Sequence, residues 1–121
     1  MILVDTSIWV DHLRKGDLAM QRLLDQANVL CHPSIVGELA MGELHPRQAI
    51  LQTLCEFPTA TIADDEEVVR FISHNKLYGI GIGYIDAHLL VSARLTPGAS
   101  LWTRDKRLAK VAESLKLAFV P

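Results

Sequence analysis

Long hydrophobic runs are missing from this sequence, and no stretch approaches the ~20 apolar residues that a membrane-spanning helix needs. A basic stretch before the first apolar run is missing too: Met1-Ile2-Leu3-Val4 leads straight to Asp5, which is not the pattern of a secretory leader. Cysteine is scarce. Cys31 and Cys55 form no CxxC, which excludes a disulfide scaffold and a thiol zinc site; both are expected to be reduced core residues of a cytoplasmic protein. Charge of one sign is not in excess either. Lys plus Arg number 12 against 14 Asp plus Glu, so the chain does not coat nucleic acid by charge alone. The histidines, His12, His32, His45, His74 and His88, show no zinc-binding spacing. What is present is a globular balance, 50% apolar and 21% charged over 121 residues, which fits one domain and is too apolar for a disordered chain.

Short apolar runs alternate with helical patterns, the signature of α/β layering. Ile2-Leu3-Val4 reads as a buried strand, followed by a helix capped by Thr6 or Ser7 and running to about Leu13. Leu18 to Ala27 has helical spacing, and Val29-Leu30-Cys31 reads as a second strand. Pro33 opens a helix to Gly42, and Pro46 to Phe57 reads as another. Thr59 to Ile62 is expected to be a third strand. Asp64-x-x-Glu67 is a capping-box pattern opening a helix with Val68, Phe71 and Ile72. Gly79 to Gly83 is a loop, and Tyr84 to Leu95 is apolar on nearly every side, so that helix should be deeply buried. Ser100-Leu101-Trp102 reads as a fourth strand, Arg104 to Lys116 as a helix capped by Thr103, and Leu117 to Val120 as a fifth, edge strand. The long connections predict helical crossovers and a mainly parallel sheet, whose site lies beyond the carboxyl ends of the strands.

Four acids become candidates. Asp5 follows the first strand and Asp105 follows the fourth, so both fall at the same sheet edge. Asp86 lies in the first turn of an otherwise apolar helix. Glu38 lies beside the apolar arc of its helix, but Glu43 falls on that arc if the helix continues, and periodicity does not choose between them. Singly, each has an ordinary explanation: a cap, a complement to a helix dipole, or a solvated side chain. Together they would repel, a like-charged pair at about 4 Å costing on the order of 4 kcal/mol at an effective dielectric near 20. Such a cluster persists at neutral pH with bound cations or raised pKa values, and oxygen ligands select Mg²⁺ or Mn²⁺. Ions of that kind suit phosphodiester hydrolysis.

Four segments, in order, resemble the motifs of PIN-domain ribonucleases of the VapC type, the toxins of prokaryotic toxin–antitoxin pairs. They are Ile2-Leu-Val-Asp-Thr-Ser-Ile-Trp-Val10, Ser34-Ile-Val-Gly-Glu-Leu39, Gly81-Ile-Gly-Tyr-Ile-Asp-Ala-His88 and Leu101-Trp-Thr-Arg-Asp-Lys-Arg-Leu108. The resemblance chooses Glu38 over Glu43. It implies a three-layer PIN-like sandwich with a five-stranded, mainly parallel sheet. It also implies an endoribonuclease dependent on Mg²⁺ or Mn²⁺, with Asp5, Glu38, Asp86 and Asp105 as catalytic and metal-binding residues and Asp5 and Asp86 as the main ligands. Products with a 5′-phosphate and a 3′-hydroxyl are implied, as are a homodimer and a cognate VapB-type antitoxin lying across the groove. Ser7 and Thr103 would orient carboxylates or waters, and Arg104 and Arg107 would hold the RNA backbone. Trp9 and Trp102 are expected in packing rather than base stacking. Two rivals are a non-catalytic module whose acidic pocket holds an arginine-bearing peptide, and a haloacid-dehalogenase-like phosphatase. The second wants an acid where Ser7 stands.

Overall fold

A computed structural model describes residues 1–121. Its sheet has three parallel strands, β1 (Ile2–Val4), β2 (Val29–Leu30) and β3 (Ser100–Trp102), in the order β2-β1-β3. Seven helices surround it: α1 (Thr6–Lys15), α2 (Leu18–Asp25), α3 (Pro33–Ala40), α4 (Arg47–Glu56), α5 (Asp65–His74), α6 (Tyr84–Leu95) and α7 (Lys106–Ser114). β1 lies in the middle with helices on both faces. Its three residues are all buried, which is why it reads as an unbroken apolar run rather than an alternating one.

The expected five-stranded sheet is corrected to three strands. Thr59 and Ala118 each make a single parallel bridge, to Cys31 and to Leu101. Competing hydrogen bonds explain the short edges. Beyond Thr59, the Thr61 N–H donates to the Thr96 hydroxyl at 2.8 Å and leaves the sheet, while on the other side His32 already caps α3. Beyond Leu101, β3 ends at Trp102, whose carbonyl accepts from Asp5 N on the opposite side.

α6 is the buried helix its composition predicts: Ala87, Leu89, Leu90, Val91, Ser92 and Ala93 are all inaccessible. Trp9 and Trp102 are packed inside, at 4% exposure each. Cys31 is buried, but Cys55 is exposed, a correction to the expected pair of core cysteines. Leu54 is the buried residue of α4, and its neighbour Cys55 points about 100° away from it. No helix is long and apolar enough to cross a membrane.

The chain leaves β1 for β2 on one side and later returns to β3 on the other. Strand order therefore reverses at β1, and a crevice opens beyond the carboxyl ends of β1 and β3.

Candidate active site

Register delivers the first two groups to that crevice. Val4 pairs with Trp102, so the next residues, Asp5 and Thr103, emerge side by side. Asp5 stands at the N-cap position of α1, yet its side chain makes no cap bond. Its Oδ2 instead accepts from the Thr103 hydroxyl at 2.7 Å and the Ser7 hydroxyl at 3.0 Å. The Asp5 carboxylate, 7% exposed, is thus held by two donors from two different elements.

Both hydroxyls are used twice, as a group with one proton and two lone pairs allows. Thr103 Oγ1 accepts from Asp105 N at 3.1 Å, and Ser7 Oγ accepts from Arg104 N at 3.1 Å. The expected cap of the last helix is corrected accordingly. Asp105, not Thr103, is the N-cap of α7, accepting from Leu108 N at 3.0 Å through Oδ1. Neither Thr6 nor Ser7 caps α1; both lie inside its first turn.

Asp86 reaches back to the start of α6, where its Oδ2 accepts from Gly83 N at 3.1 Å. Burial pushes its carboxyl pKa up, the Gly83 N–H opposes that, and the negative charges of Asp5, Asp105 and Glu38 push it up further. Asp86 therefore feels the charge of each of the other three acids. Glu38, on α3, accepts from the Thr6 hydroxyl at 2.9 Å through Oε1. α3 ends at Ala40, so Glu43 lies beyond the helix, although both glutamates line a cleft of ≈ 350 Å³ beside α1.

The donor chemistry of the set fits a hard cation. Each carboxylate has one oxygen committed to a structural bond, namely Asp5 Oδ2, Glu38 Oε1, Asp86 Oδ2 and Asp105 Oδ1. The second oxygen of each accepts nothing from the protein. No three of these side chains yet stand close enough to grip one ion together. A divalent cation drawn to the free oxygens would offset the repulsion between carboxylates brought close together.

A PIN domain model matches residues 2–114, nearly the whole chain. The chain belongs to the PIN-domain family. Among curated proteins, Ribonuclease VapC32 of Mycobacterium tuberculosis (strain CDC 1551 / Oshkosh) is 44% identical over 115 residues, covering 94% of this chain and 93% of that one. The protein of the same name from strain ATCC 25618 / H37Rv matches to the same extent.

The two arginines of this PIN-domain chain differ in their surroundings. Arg104 pairs with Asp11 at 2.7 Å and with Asp17, and its guanidinium lies 5.6 Å from the centre of the Trp102 ring. It is committed to the fold. Arg107 enters no ion pair and packs against Gly81, a glycine at φ +89°. A methyl group at Gly81 would lie 3.0 Å from Arg107 Cδ and Cζ.

Thr6 escaped the sequence reading as a site residue. Its signal was its place in the first helical turn beside Asp5, where consecutive side chains point about 100° apart, so Ser7 and Thr6 serve different acids. A second polar cluster also went unread. Tyr84 Oη donates to Asp65 Oδ1 at 2.6 Å and His88 Nε2 lies 3.1 Å from the same oxygen, which ties the starts of α5 and α6 together. Those bonds, with Tyr84 the stronger cause, hold the Asp65 carboxyl below its usual range.

Proposed function

We propose that this chain is an endoribonuclease toxin dependent on Mg²⁺ or Mn²⁺ and silenced by a cognate VapB-type antitoxin. What supports this is the electrostatic coupling of Asp86 to Asp5, Asp105 and Glu38, four acids that each keep one oxygen free of protein hydrogen bonds. The ribonuclease names of its relatives, 44% identical, support the same reading.

Asp5 and Asp86 would hold the ion directly. Glu38 and Asp105 would complete the set, partly through water, since Mg²⁺ retains several waters. When bound, the ion supplies Lewis-acid stabilisation of the scissile phosphate and a water of lowered pKa. Ser7 and Thr103 hold Asp5 in one orientation, and Thr6 does the same for Glu38. Arg107 is the free cation for an RNA phosphate; Arg104 would first have to leave Asp11 and Asp17. The same acidic crevice would accept an arginine from the antitoxin, excluding both metal and substrate. The active species is proposed to be a cytoplasmic homodimer, each chain forming a single PIN domain.

The test is cleavage of structured RNAs with Mg²⁺ or Mn²⁺, compared with EDTA and with Asp5→Asn. Cutting that needs the ion and is lost in Asp5→Asn is expected. RNA cut equally well by Asp5→Asn would place the site elsewhere.

A further inference from the structure

Aromatic side chains make up only 6% of the chain, and most are committed to packing. Both tryptophans are buried, and Phe57, Phe71 and Phe119 pack against the core. The exposed aromatics are Tyr78, at 64%, and Tyr84, at 44%. They line one notch of ≈ 180 Å³, walled by Ile82 and Gly83. That is below the roughly 300–1,000 Å³ of pockets for drug-sized ligands, and it suits a single flat ring system.

Three observations say what such a ring belongs to. First, the notch neighbours one acid of the site: Gly83, which lines it, donates its N–H to Asp86 Oδ2 at 3.1 Å. Second, the unpaired cation Arg107 packs on Gly81, in the same loop, and offers charge for a phosphate. Third, the two tyrosines are differently employed. The Tyr84 ring is fixed by its hydrogen bond to Asp65 and by an edge contact with His88 at 5.0 Å. Tyr78 makes no side-chain hydrogen bond and joins no aromatic pair, so the fold does not explain its exposure. Aromatic faces beside a cation and a phosphodiester-cleaving site match a single nucleic-acid strand, whose unpaired bases stack on such rings.

We infer that this notch is a nucleobase subsite, in which Tyr78 stacks on one unpaired base of the RNA strand while the adjoining phosphate lies against Arg107. The assignment rests on the nuclease reading above and extends it to substrate selection. A base inside a duplex cannot enter the notch, so the strand next to the cut must be unpaired.

The test uses fluorescence anisotropy of short labelled single-stranded RNAs of A, C or U, in EDTA so that nothing is cut. Wild type, Tyr78→Phe and Tyr78→Ala are compared with a duplex of equal length. Tyr78→Ala should weaken single-strand binding by about 5–150-fold, the range for losing one base–aromatic stack, and Tyr78→Phe by less than about twofold. Equal binding by Tyr78→Ala and Tyr78→Phe, or no binding by wild type, overturns the subsite. So does unchanged RNA binding with a Tyr78→Ala protein that elutes smaller on gel filtration, which would make the patch a contact between two copies of this chain. Cleavage in Mg²⁺ or Mn²⁺ is scored separately on the same RNAs. RNA held through Tyr78 but never cut would retire the nuclease and keep the subsite; RNA cut but indifferent to Tyr78 would retire the subsite alone.

Discussion

Replacing Thr103 by valine removes one hydroxyl and leaves the side-chain shape nearly unchanged. The lost bond is the 2.7 Å donation to Asp5 Oδ2, a short, charge-assisted contact to a carboxylate that is only 7% exposed. Water cannot easily replace the donor at such a site, so the full value of a hydrogen bond to a charged group applies, about 1.5–3 kcal/mol. The second bond of that hydroxyl, from Asp105 N, lies at an exposed position where water substitutes, and adds little. For a domain of this size the melting temperature should fall by about 5–15 °C, measured by circular dichroism at neutral pH without metal. In an Asp5→Asn background the acceptor is neutral, and the same replacement should cost only about 0.5–1.5 kcal/mol. The double-mutant cycle should therefore show a coupling of about 1 kcal/mol or more. A cost for Thr103→Val that is the same in both backgrounds would refute the reasoning, because the hydroxyl would then be serving packing or the α7 terminus rather than the Asp5 charge.

Asp86→Asn should raise the metal-free melting temperature at neutral pH. Its carboxyl pKa is raised in the folded chain, so the folded state holds that proton to higher pH than the unfolded state; the favourable contribution exists below the ordinary value of 3.8 and is lost as pH rises through the raised one. Melting curves of the two proteins should converge below pH 3.8, and Mg²⁺ should stabilise wild type more than the variant. Gly81→Ala and Gly79→Ala should destabilise by similar amounts in chemical denaturation, because both glycines have positive φ, +89° and +71°, and the exposed Arg107 side chain beside Gly81 can swing aside. Thr6→Val should leave stability within about 0.5 kcal/mol, because Glu38 is exposed, yet slow RNA cutting by about fivefold through a misplaced Glu38, with Thr6→Ser restoring the rate.

How much was legible in the sequence depended on how local each decision is. β1, β3 and α6 were readable to the residue at both ends, since their runs are bounded by polar residues, by Gly83 or by Pro97-Gly98. The outer strands were not, because the N–H of Thr61 chooses between the sheet and the Thr96 hydroxyl, 35 residues away. The caps failed for a related reason. Asp5, Thr6 and Ser7 are all good N-caps by type, but the Asp5 carboxylate takes the hydroxyls of Ser7 and of Thr103, the latter from a distant strand, in place of a backbone N–H of α1. Of the acids, Asp5 and Asp105 could be placed at one sheet edge from strand ends alone. Asp86 and Glu38 were singled out by the motif resemblance instead, since neither periodicity nor capping distinguishes them from ordinary helix acids.

The depth at which each acid is fixed follows from the sheet. β1 and β3 are three residues long and in register, so Asp5 and Thr103 leave the sheet at the same level and bond across the gap. A slip of one residue would carry Thr103 away from Asp5 and break that bond. Asp5 is therefore the rigid floor of the site. Asp105 and Asp86 are fixed at one oxygen by a helix N-terminus each, and exposed Glu38 is tethered by one threonine. Thr103, bonded to the buried Asp5, and Thr6, bonded to the exposed Glu38, should therefore have different signatures: removing the first costs stability, and removing the second costs rate alone.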